Sequence, residues 1–113
     1  MTPEVIIARL DKAIAGYGQS VVLERTAVDA TGGISVAQSV TCPAAVRSYV
    51  PQDLEAGSVQ PIRVILSPTG LGAFGLPSRD DRVLVDGNPS NIEEVGFLKY
   101  GGVLVRINMF CRG

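Results

Sequence analysis

From Arg82 to Val95 the chain reads R-V-L-V-D-G-N-P-S-N-I-E-E-V, a short alternating apolar run that enters Asp86-Gly87 and then Asn88-Pro89-Ser90 before apolar residues resume. Aspartate-glycine between two strand-like runs is the composition of a tight hairpin corner, because such turns place residues at positive φ, which glycine and aspartate tolerate. Asn88-Pro89-Ser90 extends that corner toward the next strand. Asp86 therefore reads as a turn former, not as the carboxylate of a ligand-gripping loop. Arg82 to Asp86 is the first strand of the terminal third, and N-I-E-E-V-G-F-L is the second, with room for a bulge. After the reversal at Tyr100-Gly101-Gly102, V-L-V-R-I-N-M-F-C-R is the third. Strict alternation puts Val103, Val105, Ile107, Met109 and Cys111 on one face of it, and Leu104, Arg106, Asn108, Phe110 and Arg112 on the other.

Upstream of the hairpin lies the longest irregular tract, S-P-T-G-L-G-A-F-G-L-P-S-R-D-D, residues 67–81. Leu71, Phe74 and Leu76 make it unlike a solvent loop, since a small domain gains nothing from an apolar excursion it cannot bury. These side chains either fold back on the sheet or await another chain, and they are assigned here as partner-binding residues. Ile34 and Val36 receive the same assignment, as the sizeable apolar residues of the glycine-containing tract 29–39, read as a second projecting loop. On that assignment, removing Leu71 through Leu76 leaves the domain folded and abolishes joining to a partner.

Before these loops, Thr2-Pro3-Glu4 is a helix start: Thr2 caps, Pro3 needs no amide bond in the first turn, and Glu4 suits the positive dipole end. Ile6, Leu10, Ala13 and Tyr17, widened by Ile7 and Ile14, form an apolar stripe that Gly16 and Gly18 terminate. S-V-V-L-E-R-T-A-V, T-C-P-A-A-V-R-S-Y-V and I-R-V-I-L are strands, the last two separated by the turn-prone P-Q-D-L-E-A-G-S. Pro43 favours an edge, a strand start or a bulge, and Pro61 delays the regular ladder to Ile62. The predicted fold class is α+β, mainly β: a small, partly closed antiparallel barrel or curled sheet with one N-terminal helix packed on it.

Composition narrows function. A chain of 113 residues supports one domain. Ten basic and eleven acidic residues, net charge −1, offer little long-range attraction for nucleic acid or an anionic membrane. No sustained apolar run of transmembrane length occurs, so a soluble, non-exported product with no membrane partner is expected. With no histidine and only Cys42 and Cys111, cysteine-histidine metal clusters and histidine-based acyl transfer are excluded. No secretory signal supports a disulfide, so both cysteines read as buried or half-buried thiols.

Chemistry fares no better. Asp80-Asp81 and Glu93-Glu94 are adjacent pairs whose members point to opposite faces of a strand. T-G-L-G-A-F-G lacks the lysine-serine/threonine ending of a phosphate loop. Arg47, Arg63, Arg79, Arg82 and Arg106 could gather on a barrel face for nucleic acid, with Tyr49 and Phe110 for stacking, but acidic residues are interspersed and the aromatic-basic interleaving is thin. No catalytic, cofactor-binding or metal-binding residue is assigned, no cofactor is expected, and the protein is read as a non-enzyme.

The segment D-R-V-L-V-D-G-N-P-S-N-I-E-E-V, followed by G-G-V-L-V-R-I-N-M-F-C-R-G, resembles the end of the small head-tail connector, or head-closure, proteins of long-tailed bacteriophages and prophages. Asp81 opens the strand, Asp86-Gly87 makes its turn, Ile92 through Val95 continue the second strand, Val103 to Cys111 form the long last one, and Arg112-Gly113 close the chain. I-R-V-I-L-S-P-T-G-L resembles the strand and turn before that family's large loop. In length and order the resemblance spans nearly the whole chain, which would make residues 1–113 one connector-like domain with projecting loops at 29–39 and 67–81. Asn88-Pro89-Ser90 departs from the family, where many relatives carry a longer or aromatic residue.

The resemblance implies a virion component at the head-tail interface, present in the host cytoplasm before assembly. It would form a ring with copies of itself and contact a portal or adaptor protein on one side. On the other it would meet a tail-completion or tail-tube protein, with incidental contact to packaged DNA. The alternative is a small-barrel nucleic-acid-binding or accessory domain.

Overall fold

The computed structural model describes residues 2–28, 30–48 and 61–112; Tyr49 and the turn-prone tract 51–58 lie outside them. Helix α1 (Pro3–Tyr17) precedes β1 (Gln19–Val28), β2 (Ile34–Ser48), β3 (Pro61–Leu66), a single 3-10 turn (Gly72–Phe74), β4 (Arg82–Val85), β5 (Asn88–Tyr100) and β6 (Val103–Arg112). All strand pairs are antiparallel, and the order β1-β2-β3-β6-β5-β4 closes on itself. The closing seam between β1 and β4 is the shortest ladder, Val22 to Leu84, Leu23 to Val83 and Glu24 to Arg82.

One set of alternate residues fills the ring. Val21, Leu23, Cys42, Ala44, Val64, Leu66, Val83, Ile92, Ile107, Met109 and Cys111 are buried in one cluster. The helix packs outside it, where Ile14 and Leu10 meet Ala45 and Ile65. Thr2 accepts a hydrogen bond from the Val5 amide at 3.3 Å, as its capping role requires. At the other end the Gly18 amide donates to the Ile14 carbonyl at 2.6 Å. The stripe stops at Ile14, and Tyr17 is exposed, because the tight approach of Gly18 to Ile14 and Ala44 turns the chain into β1 at that point.

The hairpin corner is smaller than the sequence predicted. Asp86 (φ 54°) and Gly87 (φ 80°) make the whole turn. Asn88 already pairs with Val85 and Pro89 with Leu84, so Asn88-Pro89-Ser90 belongs to β5. Pro89 is tolerated because the ladder on the other side of β5 starts only at Asn91, so its missing amide withdraws no bond there. Pro43 sits equally well within β2, one residue before the ladder to β3 begins at Ala44.

Both predicted loops need correction. Residues 34–39 of the 29–39 tract are strand: β1 runs to Val28 and pairs with β2 from Ile34, which leaves only a short turn at the tip. Alternation of Ile34 and Val36 with small polar residues was a strand signal that the neighbouring glycines obscured. The 67–81 tract folds back, and its Leu71 and Phe74 join the barrel core, contributing about 2 kcal/mol each by burial.

Cys42 and Cys111 are free and lie inside the barrel. Burial pushes the Cys42 thiol from 9.0 up to about 11. Burial, reinforced by Glu93, pushes that of Cys111 up to about 12.

Two outcomes follow. A Cβ at Gly18 would stand 2.5 Å from the Ala44 carbonyl oxygen and 2.6 Å from that of Ile14; Gly18→Ala is therefore expected to lower the stability measured by urea unfolding by about 2 kcal/mol. Both thiols hold their protons more tightly folded than unfolded, so stability falls as pH rises above about 9, where unfolded thiols ionise, and this loss levels off near 12. Urea midpoints across that range should decline more shallowly in the Cys42→Ala/Cys111→Ala protein than in the parent.

Candidate assembly interface

The strands differ greatly in length, and this shapes the surface. β2 has 15 residues and β5 has 13, whereas β4 has 4. Beyond the ring, β1 and β2 pair only with each other, from Arg25–Gln38 to Val28–Ile34. Likewise β5 and β6 pair only with each other from Leu98–Arg106 to Tyr100–Val103. Two ribbons result. Since β1 and β5 run the same way, both tips leave the same end of the barrel, and β3 also ends there, at the start of the 67–81 loop.

One arginine ties the loop to the base of the first ribbon. Arg25 Nε and Nη2 donate to the two oxygens of Asp81, each at 3.0 Å. Its Nη1 donates to Gln38 Oε1 at 3.1 Å and to the Phe74 carbonyl at 3.0 Å, and Nη2 also reaches the Leu76 carbonyl at 3.1 Å. The guanidinium lies 4.3 Å from the centre of the Phe74 ring, within cation–π range. Hydrogen bonding to Asp81 holds the Arg25 pKa above its ordinary value. Asp81 is buried and accepts also from the Ser78 amide at 2.9 Å, while its own carbonyl accepts from Ile92. The loop is thus secured at both its apolar turn and its exit.

Alternation assigns the ribbon faces. Val28 stands opposite Ile34, and Thr26 opposite Val36, so the three apolar side chains share the face away from Leu23 and Arg25. All are exposed, Ile34 at 75% and Val28 at 72%. On the second ribbon Leu98 faces Arg106 and Tyr100 faces Val103, on the side away from the buried Ile107; Leu98, Tyr100 and Val103 are exposed. A register shift follows Leu98, and it ends the simple alternation predicted for β6: Val103 is exposed and Leu104 packs against the core.

The assigned partner-binding residues are therefore divided. Ile34 and Val36 lie on the first ribbon, and Leu76 is exposed beside Arg25. Leu71 and Phe74 are core residues, so deleting Leu71 through Leu76 is expected to destabilise the barrel and not merely to remove a contact. Sequence reasoning missed Val28, Leu98, Tyr100 and Val103. Their signal was present in two apolar runs that straddle glycine-rich reversals, but it is their exposure on ribbons without a third paired strand among the described residues that singles them out. The arginines do not form one face. Arg47 and Arg63 are cross-strand partners, with Phe110 next to Arg63 in register, whereas Arg82 binds Glu24 at 2.6 Å and Arg106 binds Asn108 at 2.8 Å. Arg79 lines an open concavity of about 540 Å³ with Glu93, Glu94 and Val95.

No family model and no curated protein sequence matches this chain. Among solved structures it is similar in fold to a chain from the virion of a native gene transfer agent particle, with a TM-score of 0.56 and 20% identity. The similarity covers 83% of this chain and 91% of that one.

Removing the Arg25 side chain strands the buried Asp81 carboxylate and frees two carbonyls. Arg25→Ala should cost about 3 kcal/mol in urea unfolding. Arg25→Lys should recover less than half of that, because an ammonium cannot serve two carboxylate oxygens and two carbonyls at once.

Proposed function

We propose that this protein is a structural virion component of a phage-like particle that forms part of the head-tail connector ring, closing the filled head and offering the tail its attachment surface. The observation that carries this reading is the fold similarity, over most of both chains, to a chain of a gene transfer agent virion. The resemblance of Asp81 through Val95 and Gly101 through Gly113 to connector proteins narrows it from virion to head-tail interface. Two ribbons with uncovered apolar faces at one end of a small closed sheet are what a subunit held by neighbours requires.

On this reading the protein has no catalytic role. Its partners are copies of itself, a portal or adaptor protein and a tail-completion or tail-tube protein. Arg47 and Arg63, exposed and adjacent across the β2–β3 ladder, suit incidental contact with the phosphates of packaged DNA.

Particles produced without this chain should accumulate as DNA-filled heads lacking tails when viewed by electron microscopy, and the intact chain supplied in trans should restore tailed particles. Normal numbers of tailed, infectious particles in its absence would overturn the proposal.

A further inference from the structure

The two ribbons stand on opposite walls of the barrel. In the closed order β1-β2-β3-β6-β5-β4, the β1–β2 pair is separated from the β5–β6 pair by one strand each way, β3 on one side and β4 on the other. Both rise from the same end, and both turn an apolar face away from the barrel axis: Val28, Ile34 and Val36 on one wall, Leu98, Tyr100 and Val103 on the other. Two unlike patches that point in opposite directions cannot satisfy each other within one molecule. They can do so between neighbours related by rotation about an axis parallel to the barrel, the arrangement of a head-to-tail ring.

Charge selects this pairing over like-with-like. From Val95 to Arg106 the sequence holds Lys99 and Arg106 and no acid, and Arg106 shares the face of Leu98. Two such ribbons face to face would set cation against cation. From Thr26 to Val40 there is no basic residue and a single acid, so that ribbon receives the cationic one without repulsion.

We propose that the outer face of the β1–β2 ribbon of one copy packs on the outer face of the β5–β6 ribbon of the next, making one heterologous contact that repeats around a ring. The inference rests on the ring reading above and names its contact. Every subunit then presents the same barrel end, with the Arg25-anchored loop, to the same side of the assembly.

The test uses the full chain with Ile34→Cys or Tyr100→Cys, since the native thiols are buried and slow to react. The two variants, one carrying a size tag, are first shown to unfold in urea like the parent, then mixed at the highest soluble concentration and treated with a short thiol cross-linker. Mixed Ile34→Cys/Tyr100→Cys dimers should exceed either homodimer by roughly tenfold, and the double variant should give a ladder of oligomers. Predominant homodimers, or mixed dimers no more abundant than those made with a Tyr17→Cys control, would overturn the contact. The particle experiment stands apart: tail-less heads without mixed cross-links refute only this contact, and mixed cross-links in a chain that particles do not need refute only the connector reading.

Discussion

The Arg25–Asp81 pair decides what kind of surface this small domain has. A loop of fifteen-odd residues between β3 and β4 would ordinarily sit above the barrel end as a separate feature. Five nitrogen-to-oxygen bonds from one guanidinium, and its stacking on Phe74, instead draw the loop down so that Leu71 and Phe74 complete the core. The same arginine projects from β1 at the level where the ring gives way to the first ribbon, and it holds Gln38 across the ladder. Core closure, loop position and ribbon root therefore share one side chain. A carboxylate as buried as Asp81 is tolerable only because each oxygen has a charged or amide donor, which makes the pair a constraint on geometry more than a reserve of stability.

The ribbons follow from unequal strand lengths. Only the lower parts of β1, β2, β5 and β6 have neighbours on both sides, so the upper parts hold no interior of their own. Two-stranded ribbons are marginal in water without a covering surface, and here their outward faces carry valine, isoleucine, leucine and tyrosine. The extents of 48 × 42 × 23 Å describe a flattened molecule.

Much of the architecture was legible in the sequence. The capped helix, the alternation in Val21 and Leu23, the Asp86-Gly87 turn and the inward face from Val105 to Cys111 all rest on local chemistry with periods that a sequence displays. What was not legible depends on partners distant in the chain. Phe74 looks surface-bound among glycines until Arg25, on another strand, is brought under it. Ile34 and Val36 look like loop residues until β1 is seen to extend to Val28. Tyr17 has the right helical spacing for burial, yet the close approach of Gly18 to Ala44 ends the packed stripe one turn earlier. For the interface, composition marked Leu76, Ile34 and Val36 as apolar and conspicuous, whereas Leu98, Tyr100 and Val103 resembled ordinary strand residues because nothing local reveals an unpaired edge.

The three-pair seam between β1 and β4 has a consequence for how the chain reaches this state. Every other ladder joins strands that are adjacent in sequence or belong to the β3–β6 pair, but the seam joins residues near position 23 to residues near position 83. Closing such a span costs more chain entropy than closing a hairpin, and the β1–β2 and β4–β5 hairpins shorten it when they form first. Glu24 and Arg82 are cross-strand partners in the seam, and their ion pair at 2.6 Å reinforces this short ladder. Without that seam the sheet would carry two bare edges, at β1 and at β4, each a row of unpaired backbone groups open to another chain.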